Sequence, residues 1–255
     1  MQDCLSYSTG KIKICRQRSY DLNIQYLRFI KDFFAFKKLL QKSPHRFSLR
    51  WQDRYPCLNE NIKQYDIEPH YTYHPAWAAR IVAQTRPAVH VDISSSLSFC
   101  TILSAFVPVK FYDYRPAKLN LDNMTSETAD LLKLPFEDHS IMSLSCMHVV
   151  EHIGLGRYGD DTDPDGDLKA ISELKRVLSK GGSLLFVVPI GKPKIMFNAH
   201  RIYSFEQITK YFSDMEMKEF SLITGDNAKG GLLRNSTKEK ADEETYGCGC
   251  FWFVK

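Results

Sequence analysis

Nowhere does the sequence carry the roughly 18 consecutive apolar residues that a membrane-spanning helix requires. Its opening, "MQDCLSYSTGKIKICRQRSY", has no apolar core behind the basic residues, so no secretory signal is read there and the cytoplasm is the expected compartment. A disulfide framework is missing too: the seven cysteines are odd in number and scattered, as reduced thiols are. Cys248 and Cys250 stand close together in "CGCFWFVK", but no second ligand pair lies nearby in the chain, and no metal is expected. The second half of the chain has no concentrated Lys/Arg stripe with interleaved aromatics, so no DNA partner is expected. Internal repeats and low-complexity tracts are absent as well.

What is present suits one α/β domain with an extension. A hydrophobic share of 44 % over 255 residues excludes disorder as the dominant state. The net charge of +4 is uneven: residues 1–70 hold 13 Lys and Arg against 7 Asp and Glu, whereas residues 71–255 hold 21 against 23. A basic front end can meet an anionic substrate or membrane, or can be an ordinary solvated surface. Within it, "DLNIQYLRFIKDFFAFKKLLQ" sets Leu22, Tyr26, Phe29, Ile30, Phe33, Phe36 and Leu40 at helical spacing, which predicts an amphipathic helix over Asp21–Gln41. That helix is expected to pack on the core or cover its mouth; membrane contact through residues 21–41 is the less favoured alternative. Residues 42–70 read as an irregular connection, so that residues 1–70 form a helical N-terminal lid or extension and residues 71–255 the main domain. A second helix is read in "HPAWAARIVAQTR", with Pro75 in its first turn and Pro87 beyond its end.

After Pro87 the pattern alternates between strand and helix. Strands are read in "AVHVDI", "VKFYDY", "SIMSLSC", "GSLLFVVP", "EFSLIT" and "CFWFVK", with a helix in "DLKAISELKRVLSK". This alternation predicts a mostly parallel sheet covered on both faces. Ligands on such a sheet bind beyond the carboxyl ends of the strands, where the strand order switches.

In "VHVDISSSLSF" a short apolar run ends in Asp92, and Ser94, Ser96 and Ser98 stand where a nucleotide-binding loop normally carries glycine. Serine restricts positive φ and close backbone approach, but a loop on a different path can offer hydroxyl and backbone N–H groups instead. The alternative is that these serines only cap a helix. Asp113 closes the second strand 21 residues after Asp92, a placement suited to accepting hydrogen bonds from both hydroxyls of an adenosine ribose.

A third cluster is "ADLLKLPFEDHSIMSLSCMHVVEHI", with Asp130, then Leu134-Pro135-Phe136, then Glu151-His152-Ile153. Together with Arg176, Leu178, Gly181, Gly182 and Pro189 in "ELKRVLSKGGSLLFVVP", it resembles the class I S-adenosylmethionine (SAM)-dependent methyltransferases of small molecules. Within that superfamily, "VHVDISSSLSF", "EHIGLGRYGDDTDPDGD" and "FNAHRIYSF" resemble an uncharacterised methyltransferase-like domain-of-unknown-function family of bacteria and nematodes. The resemblance covers roughly residues 71–255. It implies a Rossmann-like, mostly parallel seven-stranded sheet and SAM as cofactor. It also implies that Asp113 holds the ribose with Tyr114 and Arg115 beside it, that Asp130 and Leu131 flank the adenine, and that Asp92, Cys146 and Met147 lie near the methionine moiety, with Ser94 and Ser96 in the first loop. The serine loop departs from the family pattern and bears on cofactor affinity more than on fold. An NAD-dependent oxidoreductase would share the first half-domain, but the Leu-Pro-Phe turn and the final aromatic strand disfavour it.

Methyl transfer from a sulfonium needs alignment and, for a hydroxyl acceptor, a general base of near-neutral pKa, a task suited to histidine. His148 follows the fourth strand, His152 lies one helical turn later and His200 belongs to "FNAHRIYSF". These are the candidate bases; His148 and His200 are expected to approach one pocket, with activity falling below a pKa of roughly 6–7. Core packing is the alternative for His148 and His200, and a structural role for His152. Arg157, Tyr158, Asn198, Arg201 and Tyr203 are the acceptor candidates, with Arg201 orienting an anionic or hydroxylated group. Asp161, Asp163 and Asp165 in "GDDTDPDGD" copy the opening of a calcium loop, but Ser172 stands where a bidentate Glu is needed, so the acids read as a substrate loop or as partners of the next helix's dipole. The resulting expectation is a SAM-dependent O-methyltransferase of a small polar acceptor such as a sugar or nucleotide-linked sugar. An RNA methyltransferase and a non-catalytic SAM-fold binding module stay open.

Overall fold

The computed structural model describes residues 11–42, 46–58, 60–61, 67–226 and 231–255. The irregular connection expected over 42–70 lies partly outside the described residues. Two compact units divide between Asp66 and Ile67.

In the first unit α1 (Lys11–Leu40) is one helix that begins well before Asp21. Its aromatic side chains gather on Trp51 of a short 3-10 turn, Phe33 edge-on at 4.9 Å and Phe34 stacked at 5.9 Å. Tyr26, Phe29, Ile30, Phe33 and Leu40 are half-buried as their spacing predicts, whereas Leu22 and Phe36 are exposed. No helix among the described residues is long and apolar enough to cross a membrane.

The second unit is built on an eight-stranded sheet. In chain order it has α2 (Pro69–Thr85), β1 (His90–Ile93), α3 (Leu97–Leu103), β2 (Val109–Asp113), β3 (Met124–Thr128), β4 (Ile141–Met147), α4 (Gly166–Val177) and β5 (Leu178–Ile190). There follow the hairpin of β6 (Lys194–Met196) and β7 (His200–Ile202), then α5 (Phe205–Tyr211), β8 (Glu216–Ile223), β9 (Leu232–Leu233), α6 (Lys238–Glu243) and β10 (Gly247–Val254). Across the sheet the order is β3-β2-β1-β4-β5-β10-β8-β9. Strands β1 to β5 run parallel and β10 runs antiparallel to both β5 and β8. The order reverses between β1 and β4, so the carboxyl ends of these two strands border a crevice. The short β9 adds an eighth strand to the expected seven, at the edge beside β8. Neither β3, "MTSET", nor β6, "KIM", carries a buried face, which is why the sequence gives no strand signal there.

Helices cover both faces of the sheet. On one, Ile171 and Leu174 of α4 and Ile208 of α5 join Phe186, Phe251 and Phe253; on the other, Trp77 and Ile81 of α2 and Phe99 and Leu103 of α3 join Leu185, Val187, Cys248 and Cys250. Helix α2 starts earlier than its sequence suggests: Glu68 caps it by accepting the Tyr71 N–H at 2.5 Å, Pro69 opens it, and Pro75 lies inside the helix rather than in its first turn. Its buried stripe is His70, His74, Trp77, Ala78 and Ile81, one face at helical spacing. Trp77 fixes that face, because its Nε1–H donates at 2.9 Å to Glu219 of β8, which also accepts from Ser221 and Arg234. Trp77→Ala empties a fully buried volume and takes a donor from a buried carboxylate, and is expected to cost about 3–5 kcal/mol in a urea melt. Trp77→Phe, which keeps most of the packing, should cost clearly less.

Candidate active site

The loop after β1 is tied to the strands on both sides. Ser94 takes a left-handed conformation, φ 54°, the backbone state for which a glycine would be the easier residue. Its N–H donates to the Tyr112 carbonyl at 2.7 Å and its hydroxyl to the same oxygen at 3.2 Å. From β4 the Met147 N–H donates to Ser95 Oγ at 2.9 Å. Ser96 occupies the N-cap of α3 but its side chain makes no capping bond, so capping does not account for the serines. Asp92 is fully buried and accepts from the Ser95 N–H at 3.0 Å and from the Ser145 hydroxyl. Ser145 Oγ lies 2.9 Å from His90 Nε2, and Ser143 Oγ lies 2.8 Å from His90 Nδ1, so a hydrogen-bonded chain runs through the ring to the carboxylate. Burial lowers the His90 pKa to about 3, which makes that ring neutral. Burial also pushes Asp92 up to about 6, against the hydrogen bonds from Ser145 and Ser95.

Asp113 at the end of β2 and Asp130 beyond β3 share one arrangement. Asp113 Oδ1 accepts the Arg115 N–H at 2.7 Å and Asp130 Oδ1 accepts the Leu132 N–H at 2.9 Å. Each carboxylate steadies its own turn with one oxygen, and the other oxygen has no hydrogen-bond partner among the described residues. Two such acceptors at neighbouring carboxyl ends suit a diol and an exocyclic amine. Tyr114 is exposed. The Arg115 and Arg157 guanidinium groups each lie 5.2 Å from the centre of the Tyr158 ring, which joins a cofactor candidate to two acceptor candidates. Leu131 and Cys146 are buried in one core cluster and Met147 in the other, so their side chains pack in the core.

Beyond β4 the chain turns sharply. His148 has φ 57°, an uncommon and strained state for a residue with a β-carbon. Its Nδ1 lies 2.8 Å from Glu151 Oε1 and its Nε2 lies 3.3 Å from Cys248 Sγ. Burial opposes charge on this ring while Cys248, and after it Glu151, favour it, and the net effect raises its pKa. His148 is therefore not the free base expected from sequence, since both of its ring nitrogens are engaged. From it the rings continue unbroken: His70 stacks on His148 at 5.7 Å and Tyr71 at 5.3 Å. Tyr246 lies 5.2 Å from His70, His200 5.5 Å from Tyr246, and His152 6.4 Å from His200. His148 and His200 thus reach one region from the ends of β4 and β7. His200 Nε2 is buried and has no hydrogen-bond partner among the described residues. Burial, followed by the nearby His152, Arg157 and His148, holds its pKa below the ordinary 6.5 despite Glu151. His152 Nδ1 lies 2.6 Å from the Ala199 carbonyl, to which Arg157 also donates at 3.0 Å.

His70, Tyr71, His74, Glu151, Tyr246 and Cys248 are absent from the sequence-based candidates. One signal was available, because His70 and His74 are spaced four apart on one helix face, as paired histidine ligands are.

Two acceptor candidates turn out to be internal. Arg201 is 5 % exposed and donates to the carbonyls of Ile153 at 2.7 Å and Pro164 at 3.1 Å, while the Tyr203 hydroxyl, in a residue 3 % exposed, donates to Asp167 at 2.9 Å. They brace the segment 153–167 and do not orient an acceptor. The acids of that segment also work inwards: Asp160 accepts from the N–H groups of Gly154 at 3.0 Å and Tyr158 at 3.1 Å, and Asp163 pairs with Lys169. Gly154, at φ 77°, is required because a β-carbon there would collide with the Asp163 carbonyl. Asn198 is exposed in the β6–β7 turn.

The buried Asp92 makes a pH prediction. Its folded pKa of about 6 exceeds the ordinary 3.8, so its contribution to stability is full below the unfolded value and is lost as pH rises through about 6. Asp92→Asn removes that dependence, and relative to the unaltered chain the variant should gain up to about 3 kcal/mol between about pH 4 and about pH 7.5. Urea melts at both pH values measure the difference; a value independent of pH would contradict it.

Residues 81–186 match the family described as "Methyltransferase domain", and residues 137–245 match the family "Caenorhabditis protein of unknown function, DUF268". No curated protein matches the sequence. Among solved structures, N-methyltransferase NodS from Bradyrhizobium japonicum WM9, in complex with S-adenosyl-L-homocysteine, is 12 % identical with a TM-score of 0.50, covering 74 % of this chain and 89 % of that one. Geranyl diphosphate C-methyltransferase from Streptomyces coelicolor A3(2), in complex with Mg2+, geranyl diphosphate and S-adenosyl-L-homocysteine, is 12 % identical with a TM-score of 0.50, covering 70 % of this chain and 78 % of that one. At these identities the likeness is one of fold, and it agrees with the parallel strands β1 to β5 and the antiparallel β10 beside them. The chain thus carries a segment, residues 81–186, that matches the methyltransferase domain, on a sheet of the class I methyltransferase fold.

Proposed function

We propose that this chain binds SAM across the carboxyl ends of β1 to β4 and directs its methyl group to a hydroxyl of a small polar acceptor, a sugar or nucleotide-linked sugar. The observation that carries this reading is His200, a neutral imidazole whose buried Nε2 lacks a partner at the end of the row of rings beyond β4. When bound, SAM supplies an electrophilic methyl group on a sulfonium. The protein's part is to hold the reactants in line and to receive the proton of the acceptor hydroxyl, for which His200 Nε2 has a vacant lone pair. Tyr71, Tyr246 and the imidazoles offer flat faces and hydrogen-bonding edges to a pyranose. Asp113 and Asp130, each with one unengaged oxygen, fit the ribose diol and the adenine amine, and the loop of Ser94 to Ser96 offers its backbone to the methionine end.

Asp113→Ala should weaken binding of S-adenosyl-L-homocysteine by about tenfold to a hundredfold in calorimetry, the loss expected for hydrogen bonds to a charged carboxylate. His200→Ala should lower turnover about a hundredfold or more with cofactor binding unchanged. In the unaltered chain, turnover should fall on the acid side at a pKa below 6.5, because protonated His200 cannot accept the hydroxyl proton. A panel of sugars and nucleotide sugars, scanned by mass for a gained methyl group, identifies the acceptor; labelling of RNA in place of every small molecule would refute the small-acceptor reading.

A further inference from the structure

A nitrogen of His70, a nitrogen of His148 and the Sγ of Cys248 all lie within 4.8 Å of one another. The three residues come from the first turn of α2, the residue after β4 and the second residue of β10, so only the fold assembles them. Three further observations point to a ligand between them. His148 Nδ1 lies 2.8 Å from Glu151 Oε1, which leaves Nε2 facing Cys248 Sγ at 3.3 Å. That is how a metal-bound histidine is held, with one ring nitrogen on a carboxylate and the other on the ion. Next to this pair stand buried atoms without hydrogen-bond partners among the described residues: His74 Nε2, in a ring 5.1 Å from that of His148, and Glu151 Oε2. Finally, His148 is held in a left-handed backbone state, a strain that concentrates at functional sites.

We propose that His70, His148 and Cys248 bind one zinc(II)-class transition-metal ion and leave its fourth position open toward the row of rings. Two imidazoles and a thiolate are borderline-to-soft ligands, which select zinc and its neighbours over magnesium and calcium. Tetrahedral zinc with its usual bond lengths sets nitrogen and sulfur about 3.5 Å apart. The 3.3 Å between His148 Nε2 and Cys248 Sγ is already close to that edge, and a small movement of the His70 side chain closes the remaining ones. Three protein ligands with one free position is the arrangement of catalytic rather than structural zinc. Binding replaces the thiol proton of Cys248 by a bond from sulfur to the metal and the Nε2 proton of the protonated His148 ring by a bond from nitrogen, and both protons leave to solvent. An acceptor hydroxyl in the open position would lose its proton more readily, and this role rests on the O-methylation proposed above. The metal site itself does not.

The test uses full-length protein stripped with a chelator and titrated with cobalt(II), which reports thiolate ligation by a near-ultraviolet charge-transfer band and tetrahedral geometry by intense visible bands. The expected result is one cobalt per chain with both signals, displaced by zinc. Cys248→Ser should lose the charge-transfer band, His70→Ala should weaken binding at least tenfold, and Glu151→Gln about 10- to 100-fold through its hold on His148. Cys57→Ser, which changes an exposed thiol outside the site, should leave the spectrum intact. Free imidazole should shift the visible bands by entering the open position. Thermal melts confirm that each variant is folded, and calorimetry with S-adenosyl-L-homocysteine on the metal-free protein tests the methyltransferase reading separately. A folded chain that takes up no cobalt at micromolar concentration, a folded Cys248→Ser variant that keeps the band, or visible bands indifferent to imidazole would each overturn the proposal.

Discussion

A carboxylate with no cation beside it among the described residues joins the two halves of this fold. Asp92, on β1, takes the Ser145 hydroxyl from β4 and the Ser95 N–H from its own loop, while Ser95 Oγ receives the Met147 N–H. These bonds draw the loop after β1 against the end of β4, at the point where the strand order reverses. The position of His148, one residue past Met147, follows from them. Desolvating a carboxylate without a cation opposes stability, and hydrogen-bonded donors only partly offset it.

The same loop shows how a missing residue type is replaced. A glycine-rich turn lets the backbone come close to a ligand at no steric cost. Here Ser94 takes the left-handed state itself and is held there by two bonds to the Tyr112 carbonyl, so contacts that glycine would not need enforce the geometry. A loop pinned from both sides is stiffer than a glycine loop, and less of its freedom remains to be lost when a ligand arrives.

The opposite wall of the crevice depends on α2 lying across β10. Trp77, Ala78 and Ile81 seat the helix on the face that carries Cys248 and Cys250, and the same stripe continued toward the N-terminus delivers His74 and His70 to the end of β4. Glu151, brought back by the short turn after β4, then holds the His148 ring by its Nδ1. Arg201 and Tyr203 brace the segment that follows from beneath. A residue type that suggests substrate binding in a sequence can thus serve the scaffold, because buried carbonyls and carboxylates also need donors.

From the sequence alone one could read the strand-helix alternation, the parallel sheet and the acidic residues at the strand ends, since Asp92, Asp113 and Asp130 each close a local pattern. Periodicity and turn chemistry are short-range, and they determine what depends on neighbouring residues. β3 and β6 escaped because their side chains bury no face and therefore alternate with nothing. The histidine cluster escaped for another reason. Its members are separated by up to 178 positions, between His70 and Cys248, and none is unusual where it stands in the chain. Only the seating of α2 on β10, a matter of side-chain packing between distant segments, decided that two imidazoles and a thiol would meet at the end of β4. Tertiary contacts likewise decided that the His148 ring would lie between Glu151 and Cys248 and that His200 Nε2 would be buried without a partner among the described residues.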